Sequence, residues 1–276
     1  MLSPYRSDLL AGKNVFITGG GTGINYGIAE ACAKHGANLA IMGRRKEVLD
    51  QAVESLAEFG GKIVVHQGDV RDPENCESAI EYAVDQLGGL DALVNGAAGN
   101  FLCPPEMLSP NAFKTVIDID LQGTFQMSRC AYEHLKKSRG VILNISATLH
   151  YQGTFNQLHV SAAKAGVDAL TKNLACEWGV HGIRVVGIAP GPIADTEGMK
   201  RLGQGMEKKI GAQIPLQRMG KCIEIANSAL FLMSTAASYI TGETIVVDGG
   251  QWLYKAPWVP REMVEELVVK SQNSST

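Results

Sequence analysis

Seven short apolar runs recur along the chain, at Asn14–Ile17, Asn38–Met42, Lys62–His66, Leu90–Val94, Val141–Ile145, Ile183–Ile188 and Thr244–Val247. Stretches with helical spacing lie between them, among them Ile28–Lys34, Ala112–Tyr132 and Leu158–Trp178. Runs such as Val141-Ile142-Leu143 are apolar without alternation, as strands covered on both faces must be. Strand and helix in regular alternation predict an α/β fold: one doubly wound parallel sheet of about seven strands, with right-handed crossovers and helices on both faces. No Pro/Gly/Ser linker or internal repeat divides the sequence, so a single domain over residues 1–276 is expected. The stretch 259–276 carries Pro260, ends in Asn273-Ser274-Ser275-Thr276, and is expected to be a flexible tail.

Between the first run and the helical pattern that follows it lies Thr18-Gly19-Gly20-Gly21-Thr22-Gly23-Ile24-Asn25. Strand, glycine-rich turn and helix in that order open a Rossmann-type dinucleotide-binding unit. Glycine without a Cβ lets a pyrophosphate lie against backbone N–H groups, and the helix N-terminus adds partial positive charge. After the second run the chain reads Met42-Gly43-Arg44-Arg45-Lys46, three successive cations about 20 residues past the glycine turn, where an NAD enzyme places an acid. A solvated charge run opening a helix would look similar, but its position favours a cofactor with a 2′-phosphate, NADPH.

Composition narrows the classes. With 45% hydrophobic and 19% charged residues the chain can bury a sizeable core. A net charge of −3 argues against nucleic-acid binding, which rests on clustered Lys and Arg. The six cysteines include no CxxC pair and the histidines no HxxxH pair, so no metal site is expected and a reducing compartment suits the chain. Met1–Lys13 is too polar for a signal peptide and no apolar run approaches a membrane span, so a soluble intracellular protein is expected.

Further motifs follow the strands: Gly68-Asp69-Val70-Arg71 after the third, Asn95-Gly96-Ala97-Ala98-Gly99-Asn100-Phe101 after the fourth, and Pro190-Gly191-Pro192-Ile193 after the sixth. With Thr-Gly-x-x-x-Gly-Ile at the glycine turn, this set, in this order over roughly Leu10–Leu253, resembles the short-chain dehydrogenase/reductase family. Asn95–Pro104, Asn111–Val116 and Pro190–Gly198 further resemble its 2,4-dienoyl-CoA reductases, particularly the peroxisomal type. The resemblance implies NADPH contacts from Gly19, Gly20, Gly21, Thr22, Gly23 and Ile24, and from Arg44, Arg45, Lys46, Glu47 and Val48. It extends them to Asp69, Val70, Asn95 and Lys164, and to Pro190, Gly191, Pro192, Ile193, Ala194, Asp195 and Thr196. It also implies acyl-CoA contacts from Arg44, Arg71, Phe101, Ser109, Pro110, Asn111 and Arg201, and a homo-oligomer, a tetramer, formed through Ala112–Tyr132 and Leu158–Trp178. Arginine forks suit the phosphates of CoA, and Phe101 suits its acyl chain. Without the resemblance, surface solvation would explain Arg71 and Arg201 equally. Where the family usually has glycine this chain has Asn25, which predicts a shifted helix start rather than lost cofactor binding, since asparagine tolerates left-handed geometry.

The expected catalytic pair is incomplete. Most family members carry a Tyr four residues before a Lys on one helix; here Lys164 stands in Leu158–Gly166, but the Tyr position is Val160. Thirteen residues before Val160, the usual Ser is Ala147, and the Tyr that mitochondrial dienoyl reductases place fifteen residues before the Lys is Leu149. Reduction of a conjugated carbon–carbon bond does not need the phenol, because the charge spreads to the thioester and the proton returns to carbon. The segment Asp118-Ile119-Asp120-Leu121 carries Asp120 where the family usually has Asn, as the peroxisomal dienoyl reductases also do. Pairing with a cation favours the carboxylate, so Asp120 and Lys164 together are expected to orient a protonating water rather than donate directly.

Competing readings remain at this stage. Lys164 and Asp168 stand i, i+4 and could form a plain helix-surface pair. Against that, Lys164 falls on the apolar stripe Val160, Val167, Leu170, Leu174, where a lysine is costly without a partner. His159 reads as a hydrogen-bonded packing residue. Phe155, Leu102, Met107 and Trp252 are candidates for an acyl pocket or for ordinary core. Alternatives to the dienoyl-CoA reductase are a carbonyl reductase with a relocated donor such as Tyr151, and a non-catalytic NADPH-binding regulator. The resemblance suggests peroxisomes, though Ser274-Ser275-Thr276 is not a Ser-Lys-Leu-type signal and a cytoplasmic location is the alternative.

Overall fold

The computed structural model describes residues 3–194, 196–199 and 205–273. The strands are β1 (Asn14–Thr18), β2 (Asn38–Gly43), β3 (Ile63–Gln67), β4 (Ala92–Asn95), β5 (Val141–Ile145), β6 (Arg184–Pro190) and β7 (Thr244–Val247). All pair in parallel, in the order β3-β2-β1-β4-β5-β6-β7. The helices are α1 (Gly23–Lys34), α2 (Lys46–Leu56), α3 (Pro73–Leu87), α4 (Pro110–Val116), α5 (Gly123–Ser138), α6 (Leu158–Trp178), α7 (Glu207–Ala212), α8 (Cys222–Met233) and α9 (Arg261–Asn273). The strand order reverses beside β1, so the connections leaving β1 and β4 run to opposite sides of the sheet and open the crevice in which such sheets bind ligands. The expected runs became strands, β5 and β7 with the expected ends and the others with one or both ends displaced by one or two residues. Leu90 packs into the core ahead of β4 instead of opening it, and β6 runs on to Pro190.

Side-chain alternation within the strands divides the core. Val15 and Ile17 face Ile28 of α1, Leu49 of α2 and Leu230 of α8, while Phe16 faces Ile80 of α3 and Met127 and Leu135 of α5. Burial of each such side chain contributes about 1.5–3 kcal/mol, which is why β1 is buried along its whole length in the centre of the sheet.

The helix expected over Ala112–Tyr132 is not uniform. Ser109 caps α4, its hydroxyl accepting from the Ala112 N–H at 3.2 Å, with Pro110 in the first turn. A π-helical turn, Ile117–Gln122, then separates α4 from α5. Thr124 Oγ1 donates to the Asp120 carbonyl at 2.7 Å, a four-residue back-bond of the kind that bends helices. Beyond Trp258, where a flexible tail was expected, α9 forms with no buried residue.

Candidate active site

The crevice above β1 and β4 is a cleft of about 700 Å³. Its floor is the glycine turn. Gly19 has φ +68° and Gly23 φ +59°, backbone that a side chain would strain. Thr22, at the head of the twelve-residue α1, makes no side-chain cap, which leaves the first N–H groups of the helix directed at the cleft. Arg44 and Arg45 stand on the rim at the end of β2, and Arg44 forms no ion pair among the described residues. An anion-receptive turn with two guanidinium groups about it fits a dinucleotide carrying an extra phosphate.

Of the residues expected to contact the cofactor, Gly19, Gly21, Thr22, Gly23, Ile24, Arg44, Arg45 and Val48 line the cleft. So do Asp69, Val70, Lys164, Pro190, Gly191, Pro192, Ile193 and Thr196. Gly20 instead packs beneath the turn, where a Cβ would meet Ile41 at 2.8 Å. Asn95 is buried, its amide donating to Ser128 Oγ and Asn144 Oδ1. Lys46 turns along its helix to Asp50 at 2.7 Å, and neither Glu47 nor Ala194 lines the cleft. Asp195 and Arg201 lie outside the described residues.

The expected acyl-CoA contacts are dispersed. Arg44 lines the cleft, whereas Arg71 is spent on Asp69 at 2.6 Å, a pairing that holds the Asp69 carboxyl below the usual carboxylate range. Ser109, Pro110 and Asn111 form the exposed head of α4, and Phe101 stacks on His159 at 4.2 Å. His159 is fully buried, and neither ring nitrogen makes a hydrogen bond of good geometry; the Phe101 backbone is the polar group that bears on its imidazole.

Lys164 and Asp120 meet at the centre. Lys164 Nζ lies 3.1 Å from Asp120 Oδ2 and donates to the Ile145 carbonyl at 2.9 Å. Asp120 is fully buried, and its Oδ1 accepts from the Gly99 N–H at 2.6 Å. Oδ2 is close to the ammonium yet off the hydrogen-bond direction, so this buried oxygen is left with an unused acceptor lone pair. The π-helical turn places Asp120 here; such turns recur at functional sites.

Asp168, the competing partner for Lys164, is engaged elsewhere. Its Oδ2 meets His150 Nε2 at 2.7 Å and accepts from the Tyr151 hydroxyl at 3.1 Å, while Oδ1 accepts from Thr244 at 3.2 Å. The i, i+4 pair therefore does not form. Burial, then the Asp168 charge, push the Tyr151 phenol above its usual range, and Tyr151 does not line the cleft. Val160, at the expected tyrosine position, is buried with Val116 and Ala163 against Leu149.

Asn25 does not take left-handed backbone, and α1 begins two residues before it. Its amide has a partner instead, donating to the Gly96 carbonyl at 2.7 Å. Sequence reasoning passed over Ser146, Gln152 and Gln157, which also line the cleft; Ser146 Oγ is buried without a hydrogen-bond partner. The signal for Ser146 was its place one residue beyond β5, on the carboxyl edge of the sheet.

A family model described as enoyl-(acyl carrier protein) reductase matches residues 19–251. The peroxisomal 2,4-dienoyl-CoA reductase of Arabidopsis thaliana is 49% identical, covering 97% of this chain and 93% of its own. That of Saccharomyces cerevisiae is 45% identical, covering 98% and 94%. A crystal structure of a short-chain dehydrogenase from Bacillus anthracis superposes with a TM-score of 0.81 at 42% identity, covering 89% and 99%.

Proposed function

The chain belongs to the short-chain dehydrogenase/reductase family, and from that premise we propose that it is an NADPH-dependent 2,4-dienoyl-CoA reductase yielding trans-3-enoyl-CoA. The observation that carries the reading is the buried Asp120–Lys164 pair, 3.1 Å apart, beside a valine at the position of the family's tyrosine. A site without a phenol is poorly equipped to protonate a carbonyl oxygen. It suffices for a conjugated thioester, whose anion is protonated on carbon.

NADPH, when bound, supplies the hydride that saturates the diene carbon remote from the thioester. The glycine turn and the head of α1 would hold its pyrophosphate, and Arg44 and Arg45 its extra phosphate. Lys164, anchored on the Ile145 carbonyl, sets positive charge beside the developing dienolate. Asp120, fixed through Oδ1 by the Gly99 N–H, uses Oδ2 to hold the solvent molecule that delivers a proton to the carbon next to the thioester. Hydride on C5 and proton on C2 leave the double bond between C3 and C4.

The carbonyl-reductase alternative loses ground in this geometry, because the Tyr151 hydroxyl is tied to Asp168. The test is NADPH consumption by the purified protein with a trans,trans-2,4-dienoyl-CoA and with a panel of ketones, the product identified by mass and NMR. Turnover of the dienoyl-CoA alone is expected; turnover of ketones alone, or tight NADPH binding without any turnover, would overturn the reading.

Among the described residues no helix is long and apolar enough to cross a membrane. The names of the relatives support a place in peroxisomal β-oxidation of unsaturated fatty acids, testable by fluorescence microscopy of the tagged protein in cells. A homo-oligomer, a tetramer, is the matching assembly. It is supported by Phe125 on α5, 46% exposed, and Leu158 on α6, 48% exposed, and light scattering of the purified protein tests it.

A further inference from the structure

We infer that Asn25 is a positioning residue: its amide latches the cofactor turn to the loop after β4, which carries the backbone N–H holding the catalytic carboxylate. The inference rests on the reductase reading above and concerns a position where glycine would leave nothing to form the latch. Asn25 Nδ2 donates to the Gly96 carbonyl at 2.7 Å, and since a carbonyl can only accept, the orientation of the amide is settled. Oδ1 is buried without a partner, a cost that an asparagine facing solvent would avoid.

The surroundings are shaped to this side chain. A Cβ at Gly96 would overlap the Asn25 amide, and one at Gly19 would meet Nδ2 at 3.2 Å. Both backbones are thus bare where the amide sits between them. The loop after β4 is held at three successive points: Thr18 Oγ1 accepts from the N–H groups of Gly96 and Ala97 at 2.9 and 3.0 Å, Asn25 takes the Gly96 carbonyl, and Gly99 N–H reaches Asp120 Oδ1 at 2.6 Å. Thr18 and Asn25 bracket the glycine turn. Order in the cofactor turn is therefore passed through two hydrogen bonds to the carboxylate that orients the proton.

Asn25→Leu keeps the branched shape, with somewhat larger methyl groups, but cannot donate, and Asn25→Gly removes the side chain. The measurements are amide hydrogen exchange over residues 96–100 in the full chain, NADPH affinity by fluorescence, and kcat with a dienoyl-CoA at saturating NADPH. Exchange should quicken about fivefold and kcat fall about three- to tenfold, the share of one hydrogen bond, while NADPH affinity changes less than about twofold. A merely structural residue would lower the melting temperature and leave kcat of the folded protein unchanged. Unchanged exchange over 96–100 in both variants overturns the inference, as does a loss of rate seen at limiting NADPH that disappears at saturating NADPH, leaving kcat unchanged. If wild-type protein turns over no dienoyl-CoA, the reductase reading fails while the exchange result still decides the latch.

Discussion

Replacing Asp120 by Asn keeps the shape of the side chain and removes its charge. Lys164 is then left 5% exposed, with the Ile145 carbonyl and no anion. At 3.1 Å and an effective dielectric constant of about 20, the lost attraction is about 5 kcal/mol before desolvation is considered. Removing one partner of a buried pair costs about 3–5 kcal/mol in practice, so urea unfolding should show a loss near the lower figure, solvent in the cleft relieving part of it. Turnover should fall further than stability accounts for. With no carboxylate to orient solvent, kcat at saturating NADPH and dienoyl-CoA should drop about 10²-fold, the share of an acid–base group. The double variant Asp120→Asn/Lys164→Met removes the stranded charge, so it should regain stability but not activity. A folded Asp120→Asn protein with kcat within about threefold of wild type would refute the assignment, since acid–base losses are far larger.

Arg44→Ala should raise the KM for NADPH about 10–100-fold, the worth of a charge-assisted hydrogen bond to phosphate, and leave the KM for NADH nearly unchanged; steady-state kinetics with both cofactors decides it. Tyr151→Phe should leave kcat within about twofold while costing about 1 kcal/mol in urea unfolding, because its hydroxyl serves Asp168 and not the substrate. Burial pushes the His159 imidazole below its ordinary value of 6.5. Below pH 6.5 the unfolded chain thus binds the proton that the folded state resists, and stability falls with pH from there down through the lowered folded value. His159→Leu should flatten that limb relative to wild type in chemical unfolding at stepped pH, and parallel curves would contradict it.

Much of the fold was legible because the central strands are buried on both faces. A run such as Val141-Ile142-Leu143 has to be apolar throughout, and between helices it has one place to go. Lys164 stood out for the converse reason, a cation on an apolar stripe. Its partner was harder to read. Asp168 is one turn away in sequence, yet His150, Tyr151 and Thr244 converge on it from the loop after β5 and from β7, contacts that local spacing does not reveal. Asp120 was found through resemblance, and nothing in Ile117–Gln122 marks the π-helical turn that presents it. Asn25 was judged on backbone preference alone, whereas its side chain found a carbonyl 71 residues away. Arg71 shows the opposite case, a near neighbour in sequence, Asp69, that does pair with its guanidinium at 2.6 Å.

A crystal structure of the protein with NADP⁺ and a 3-enoyl-CoA tests the central claim most directly. The account predicts a water within about 3 Å of Asp120 Oδ2, facing the carbon next to the thioester, with Lys164 beside the thioester oxygen and no tyrosine hydroxyl in reach. A complex in which Asp120 turns from the acyl chain while a tyrosine hydroxyl stands over the thioester would contradict it.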